Sequence, residues 1–254
     1  DYTNKVSVSY QPNDDMLLYA TFSQGYKSGA FPSQSNTPSV AATPVDPETV
    51  DNYELGMKST WWDNRIQFNV TLYDMDYSDL QVFELNNRLL LVLSSAQATT
   101  KGVDVDFNVL LMDNLTLSTS YNYSDATYDD YTSSGGAIYD GNDMVYAPNS
   151  AFAINVDYRY DIGSAGALDF NVSYNWKDDY YTSPSNAEKT KQDDIGMLGA
   201  SISWTSVDES WLVSAWGKNL DDEQQIASLI VDPTQITSES YMAPRTYGVT
   251  VTKT

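Results

Sequence analysis

The 254-residue chain contains neither histidine nor cysteine. That removes Ser-His-Asp and Cys-His catalytic centres, His-based zinc or haem ligation, thiolate chemistry and disulfides from its repertoire. The side chains left to do chemistry are mainly 35 acids and 20 tyrosines. Many acids fall in polar stretches, among them Asp125, Asp129, Asp130, Asp140, Asp143, Asp178, Asp179, Asp193, Asp194, Asp221, Asp222 and Glu223. Oxygen-rich loops suit calcium, yet Asp140-Gly-Asn-Asp143 lacks the other ligand positions of a calcium loop. A solvated exterior is the plainer reading of these charges. Against 13 basic residues the formal net charge is -22, which opposes nucleic acid as a partner because that needs a basic footprint.

The segments that hold these side chains alternate strictly. Leu168, Phe170, Val172, Tyr174 and Trp176 form one set, and Asp169, Asn171, Ser173 and Asn175 the other. Val103, Val105, Phe107 and Val109 alternate with Asp104, Asp106 and Asn108, and Phe152, Ile154, Val156, Tyr158 and Tyr160 with Asn155, Asp157 and Arg159. Such period-2 strands show one apolar and one polar face, which suits a transmembrane barrel and equally a soluble sandwich. Three features favour the barrel. Apolar faces end in rings (Tyr121, Tyr123, Tyr158, Tyr160, Tyr174, Trp176, Trp204, Trp211, Trp216), as at a headgroup boundary. Short turns at 12–15, 62–64, 112–114, 162–166 and 207–210 interleave with long polar stretches at 24–50, 126–149, 177–195 and 219–243. The strands also run near ten residues, about twice the usual soluble length. No stretch approaches the ~20 apolar residues of a spanning helix.

Candidate strands lie near 3–10, 16–25, 51–61, 65–77, 98–111, 115–125, 151–161, 167–176, 196–206, 211–218 and 244–253. Between Leu80 and Leu93 the run Leu89-Leu90-Leu91-Val92-Leu93 breaks the alternation; a loop packed inside the lumen or a surface patch would also fit, and a strand extension above the membrane is the favoured reading. About eleven strands is an odd number, and no signal peptide opens the sequence; a missing N-terminal half of a larger barrel accounts for both. The phase of Tyr247, Val249 and Val251 places one further outward aromatic just beyond Thr254.

Five ordered motifs carry a resemblance. Tyr19-Ala-Thr-Phe-Ser-Gln-Gly-Tyr-Lys-Ser-Gly-Ala-Phe31, Asp46-Pro-Glu-Thr-Val-Asp-Asn-Tyr-Glu-Leu-Gly-Met-Lys58, Lys101-Gly-Val-Asp-Val-Asp106, Trp216-Gly-Lys-Asn-Leu-Asp-Asp-Glu223 and Ala243-Pro-Arg-Thr-Tyr-Gly248 together resemble the C-terminal barrel region of TonB-dependent outer-membrane receptors. The resemblance implies an all-β, transmembrane antiparallel β-barrel in the bacterial outer membrane. Residues 1–254 would supply about 11 C-terminal strands of a 22-stranded barrel, with the plug and first strands outside this chain. It implies import of a large scarce nutrient, a ferric siderophore or similar, with energy from TonB, no catalysis and no resident cofactor.

In that architecture a ligand meets the long loops and upper lumen. Tyr26, Lys27, Phe31, Tyr139, Tyr146, Tyr180, Tyr181 and Tyr241 sit on or beside those loops and are the candidate contacts. A tyrosine-rich mouth suits stacking on sugars, catecholates or hydroxamates, whereas the acidic loops repel a free anionic chelate unless cations mediate. Lys218 and Asn219 fall near the outer rim, and Arg245 is placed to pair with Asp221 or Glu223. All these motif residues have loop anchoring as their ordinary role. Two rivals remain. A soluble or surface β-sandwich adhesin would pack the apolar faces together, and an outer-membrane lipase or protease is disfavoured by the absent histidine.

Overall fold

The structure, a computed structural model, describes residues 2–31, 44–85, 91–231 and 237–254. The strands are β1 (Lys5–Asn13), β2 (Met16–Lys27), β3 (Glu48–Trp61), β4 (Ile66–Leu85), β5 (Leu91–Met112), β6 (Leu115–Asp130), β7 (Ser150–Asp161), β8 (Ala167–Lys177), β9 (Tyr180–Tyr181), β10 (Lys191–Gln192), β11 (Ile195–Thr205), β12 (Trp211–Lys218), β13 (Ile226–Val231), β14 (Thr237–Tyr241) and β15 (Thr246–Lys253). Eleven of them form one sheet in the order β1-β2-β3-β4-β5-β6-β7-β8-β11-β12-β15. Every neighbouring pair in that sheet is antiparallel. The remaining strands form two small hairpins, β9 with β10 and β13 with β14, inside long connections. Short turns alternate with long connections as the sequence spacing predicts, except between β4 and β5, where the strands themselves run on to Leu85 and from Leu91.

Register confirms that the two faces are continuous, because residues paired across an antiparallel ladder point the same way. One row reads Tyr10, Leu18, Met57, Val70, Val105, Tyr121, Phe152, Trp176 and Gly196. One residue along each strand, the adjacent row reads Ser9, Tyr19, Gly56, Thr71, Asp104, Asn122, Ala151, Lys177 and Ile195. The apolar face carries large side chains left open, with Leu55 59% and Val249 70% exposed. No second large sheet covers it among the described residues, so the sandwich arrangement is not adopted. A contiguous apolar face of this size is tolerated where hydrocarbon covers it.

Rings bracket that belt. At the turn end stand Trp61, Tyr158, Tyr160, Trp204 and Trp211, and at the loop end Tyr53, Tyr121, Tyr123 and Trp176. Phe152 and Trp176 stack with centroids 5.4 Å apart. One step beyond Tyr123 the same face turns charged on its central strands: the row Phe22, Tyr53, Asp74, Lys101 and Asp125 has Lys101 Nζ 3.3 Å from Asp74 Oδ2. That change of chemistry marks the upper limit of the hydrocarbon.

Trp216 departs from the sequence expectation. It pairs with Ser201 and Gly248, which places it on the polar face, where its indole donates to Thr250 Oγ1 at 3.1 Å. Strand β12 is apolar in both phases (Leu212, Val213, Ala215, Trp216), so alternation alone could not assign its faces.

Large polar-face rings cross the ladder over glycines. Tyr19 lies across Gly56, where an added Cβ would sit 2.3 Å from the ring, and bonds Thr71 at 2.9 Å. Tyr73 lies across Gly102 in the same manner. Any larger residue would push these rings off the wall.

Strands β4, β5 and β6 run past the belt, so the Leu80–Leu93 segment is a strand extension over its described part; residues 86–90 lie outside the described residues. A bulge between Tyr77 and Leu80, with Asp79 at φ 54, shifts the phase there. The buried cluster of the molecule forms on this extension: Val82, Ala96, Ala98, Tyr128 and Tyr131, joined by Tyr77, Leu80, Tyr139 and Met144.

Candidate functional site

The polar face holds an open cavity of about 800 Å³, lined by Lys58 and Thr71 on one side, Asp104, Asp106 and Asn122 in the middle, and Asn175, Lys177 and Gln225 on the other. Lys177 ends the polar phase of β8 that begins at Asp169, so alternation places it here. Its ammonium sits 4.6 Å from the Tyr180 ring centroid and donates to Tyr180 Oη at 3.4 Å. Tyr180 itself is 6% exposed and packs 5.9 Å from the ring of Tyr146, which is half-exposed.

Tyr146 stands in the left-handed region at φ 57, a conformation uncommon for a bulky residue. Neighbouring bonds hold it there. The Tyr146 amide donates to the Tyr181 carbonyl at 2.8 Å, the Asp143 amide donates to Asn186 Oδ1 at 2.7 Å, and the Asn186 side-chain amide returns a bond to the Asp143 carbonyl at 3.1 Å. Asn142 donates to the Pro184 carbonyl at 2.8 Å. These bonds latch the β6–β7 connection to the β8–β11 connection.

The latch is acidic. Burial, and then the neighbouring Asp125 and Asp179 carboxylates, hold the Asp143 carboxyl above its ordinary range. Lys191 Nζ lies 3.0 Å from Asp179 Oδ2, and that hydrogen bond raises the affinity of Lys191 for its proton. Among the described residues no three acids converge in metal-binding geometry.

The other candidates are dispersed. Lys27 pairs with Glu48 at 3.4 Å, and Glu48 also accepts the Gln81 amide at 3.0 Å. Gln81 in turn donates to the carbonyls of Ser28 at 3.0 Å and Asp46 at 3.2 Å, which ties down both ends of the β2–β3 connection. Tyr26 follows the apolar-face phase of Phe22 and is half-exposed, and Phe31 is exposed. Tyr139 stands edge-on to Tyr131 at 5.4 Å, within the buried cluster. Tyr241 donates to Glu239, which raises its pKa. Thus Tyr146, Tyr180 and Tyr181 come together, and Tyr26, Lys27, Phe31, Tyr139 and Tyr241 stand apart from them.

At the rim Asn219, at φ 51, bonds the carbonyls of Glu223 and Ala243 at 2.8 and 3.3 Å, closing both ends of the β12–β15 connection. Arg245 pairs with Asp222 at 3.1 Å rather than with Asp221 or Glu223, since Asp221 is engaged by the Leu198 amide at 3.0 Å. Sequence reasoning missed Lys177, Gln81, Asn142 and Asn186. For Lys177 the signal was present in the phase of β8; for the amides nothing local marks partners 43 residues distant.

The model of the TonB dependent receptor-like β-barrel matches residues 1–220. The ferric-pyoverdine 358 receptor of Pseudomonas putida is 27% identical over 129 residues, which is 48% of this chain and 15% of that protein. The ferric-pyoverdine M114 receptor PbuA of Pseudomonas sp. (strain M114) is 21% identical over 236 residues, 87% of this chain and 26% of that protein. The ferric yersiniabactin uptake receptor FyuA from Yersinia pestis superposes with a TM-score of 0.82 at 19% identity, covering 98% of this chain and 36% of that one. The chain therefore spans about a quarter or less of these curated relatives' length and about a third of that solved structure.

Proposed function

The chain belongs to the TonB-dependent receptor-like β-barrel family, and from that membership we propose that it works as the C-terminal part of a bacterial outer-membrane importer for a ferric siderophore or similar large nutrient. The plug and the earlier strands of a 22-stranded barrel would come from the rest of a longer polypeptide, and TonB would supply the energy through that plug. Selective binding at the long-loop end and gated passage along the polar face constitute its action, without a covalent step. One observation carries this reading: a single meander with a ring-bracketed apolar belt backed by an unbroken polar face that opens into a cavity between lysines and carboxylates. The receptors for ferric pyoverdine and ferric yersiniabactin that it resembles favour iron complexes as cargo.

The test is uptake of iron-55 chelates by iron-starved cells that lack their own receptors and express the full-length polypeptide. Uptake that disappears with TonB supports the proposal; uptake that persists without TonB, or cells in which the protein fractionates away from the outer membrane, overturns it.

A further inference from the structure

The belt face is not smooth. Across β8, β11, β12 and β15 it sinks into a groove of about 660 Å³, walled by Phe170 and Val172 on one side and by Tyr247 and Val249 on the other. Ala200, Ala215 and Gly217 form its floor. Ala200 pairs with Val172 and Gly217, Gly217 with Tyr247, and Ala215 with Val249, so floor and walls share the apolar phase. The floor side chains are a methyl group or nothing, while the four wall residues all stand exposed. The depth therefore comes from side-chain size, on ladders whose register is unbroken. Leu220 closes the loop end, lying so near Gly217 that an added Cβ there would meet Leu220 Cδ2 at 2.5 Å. At the turn end the groove stops short of the rings of Trp204 and Trp211. It thus occupies the loop-end part of the belt, at hydrocarbon depth.

Water finds no partner on this floor, because the backbone groups are spent on the ladders and Asn171 and Ser201 of the same strands belong to the polar face. A second barrel would bring a convex wall that rests on Phe170 and Tyr247 and leaves the floor empty, forfeiting dispersion contacts. A single alkyl chain is slim enough to lie between the walls, and the bilayer around the belt supplies it. Resting on the outer-membrane reading above, we infer that the groove is a lipid seat: it holds one acyl chain of a lipid from the leaflet at the long-loop end, longer than the rest of the belt holds its neighbours. The chain is recognised by shape, with its methylenes against Ala200, Ala215 and Gly217, and the headgroup is not read.

The experiment places the full-length receptor in vesicles of phosphatidylethanolamine and phosphatidylglycerol with a trace of phosphatidylethanolamine that carries a diazirine on one acyl chain. After illumination, label mapped by mass spectrometry should exceed that on the open Leu55 and Leu72 face by about fivefold on the peptides that hold Ala200, Ala215, Gly217 and Val249. Ala215→Phe fills the groove and should remove the excess, as should the smaller filling Ala200→Leu, which covers the case in which the phenylalanine form does not fold. Val70→Phe adds similar bulk to the belt outside the groove and should leave the excess in place. Even labelling around the belt, or an excess that survives both fillings, overturns the inference and leaves the outer-membrane reading standing. Dimers cross-linked through these same peptides overturn it in favour of a second copy. Absence of label from every strand overturns the outer-membrane reading as well.

Discussion

The membrane belt and the long-loop end are built on opposite logics. In the belt, bulky side chains such as Leu55, Leu72 and Val249 stay open on one face, and backbone ladders supply the order. At the loop end, Tyr128 and Tyr131 are almost wholly buried, and side-chain amides stitch remote connections together. The contrast teaches that in the belt the surrounding hydrocarbon replaces a core, so register and face carry the information, whereas above it the chain must make its own interior and depends on particular contacts.

The sharpest way to break the comparison is Tyr131→Ala. Emptying the centre of the loop-end cluster should cost about 3–5 kcal/mol locally. Hydrogen exchange should show residues 128–144 losing protection while belt amides keep theirs; belt amides opening in step would mean that the two regions are one cooperative unit. Next comes Val172→Arg in the middle of the belt, with an expected loss of about 2–4 kcal/mol in urea unfolding of the full-length protein from bilayers. The same change at its polar-face neighbour Ser173 should cost well under half as much, and equal costs would remove the distinction between faces. Asn186→Ala deletes both bonds to Asp143 and should release the latch by about 1–2 kcal/mol, read as faster exchange of the Asp143 and Tyr146 amides.

The smallest effect is expected from Asp143→Asn, which removes a charge while keeping the shape. Because burial and two like charges raise its folded-state pKa, the ionised form strains the latch. Stability is then fully present below the ordinary carboxylate pKa and is lost as pH rises through the raised one. Amide protection at the latch should fall as pH rises past the ordinary carboxylate range in the native protein and stay flat in Asp143→Asn; a slope unchanged by the substitution would detach the latch from the Asp143 carboxyl.

The same contrast explains what the sequence made legible. All eleven sheet strands were visible within a few residues at most ends, because hydrocarbon on one side and water on the other impose a strict period of two. Where both phases are apolar, as at Leu212-Val213-Ser214-Ala215-Trp216, the period has no phase to read, and Trp216 went to the wrong face. The bulge at Asp79 likewise breaks alternation just where β4 leaves the belt. At the loop end the pairs Tyr180–Tyr181 and Lys191–Gln192 are too short to show any period. Of the candidate site, the tyrosines were legible as residues beside long loops, but their grouping depends on amide bonds between distant segments. Lys177 was legible only by extending the phase of β8 one step further.

The meander also governs how the sheet can be assembled. Through β8 every partner is the next strand in the chain, and the only strands skipped are the two small hairpins held within connections. Contact order across the wall is therefore held down, because each ladder closes only the one turn or connection between its two strands. A strand entering the bilayer can satisfy its backbone donors against its immediate predecessor, so the wall can grow one hairpin at a time.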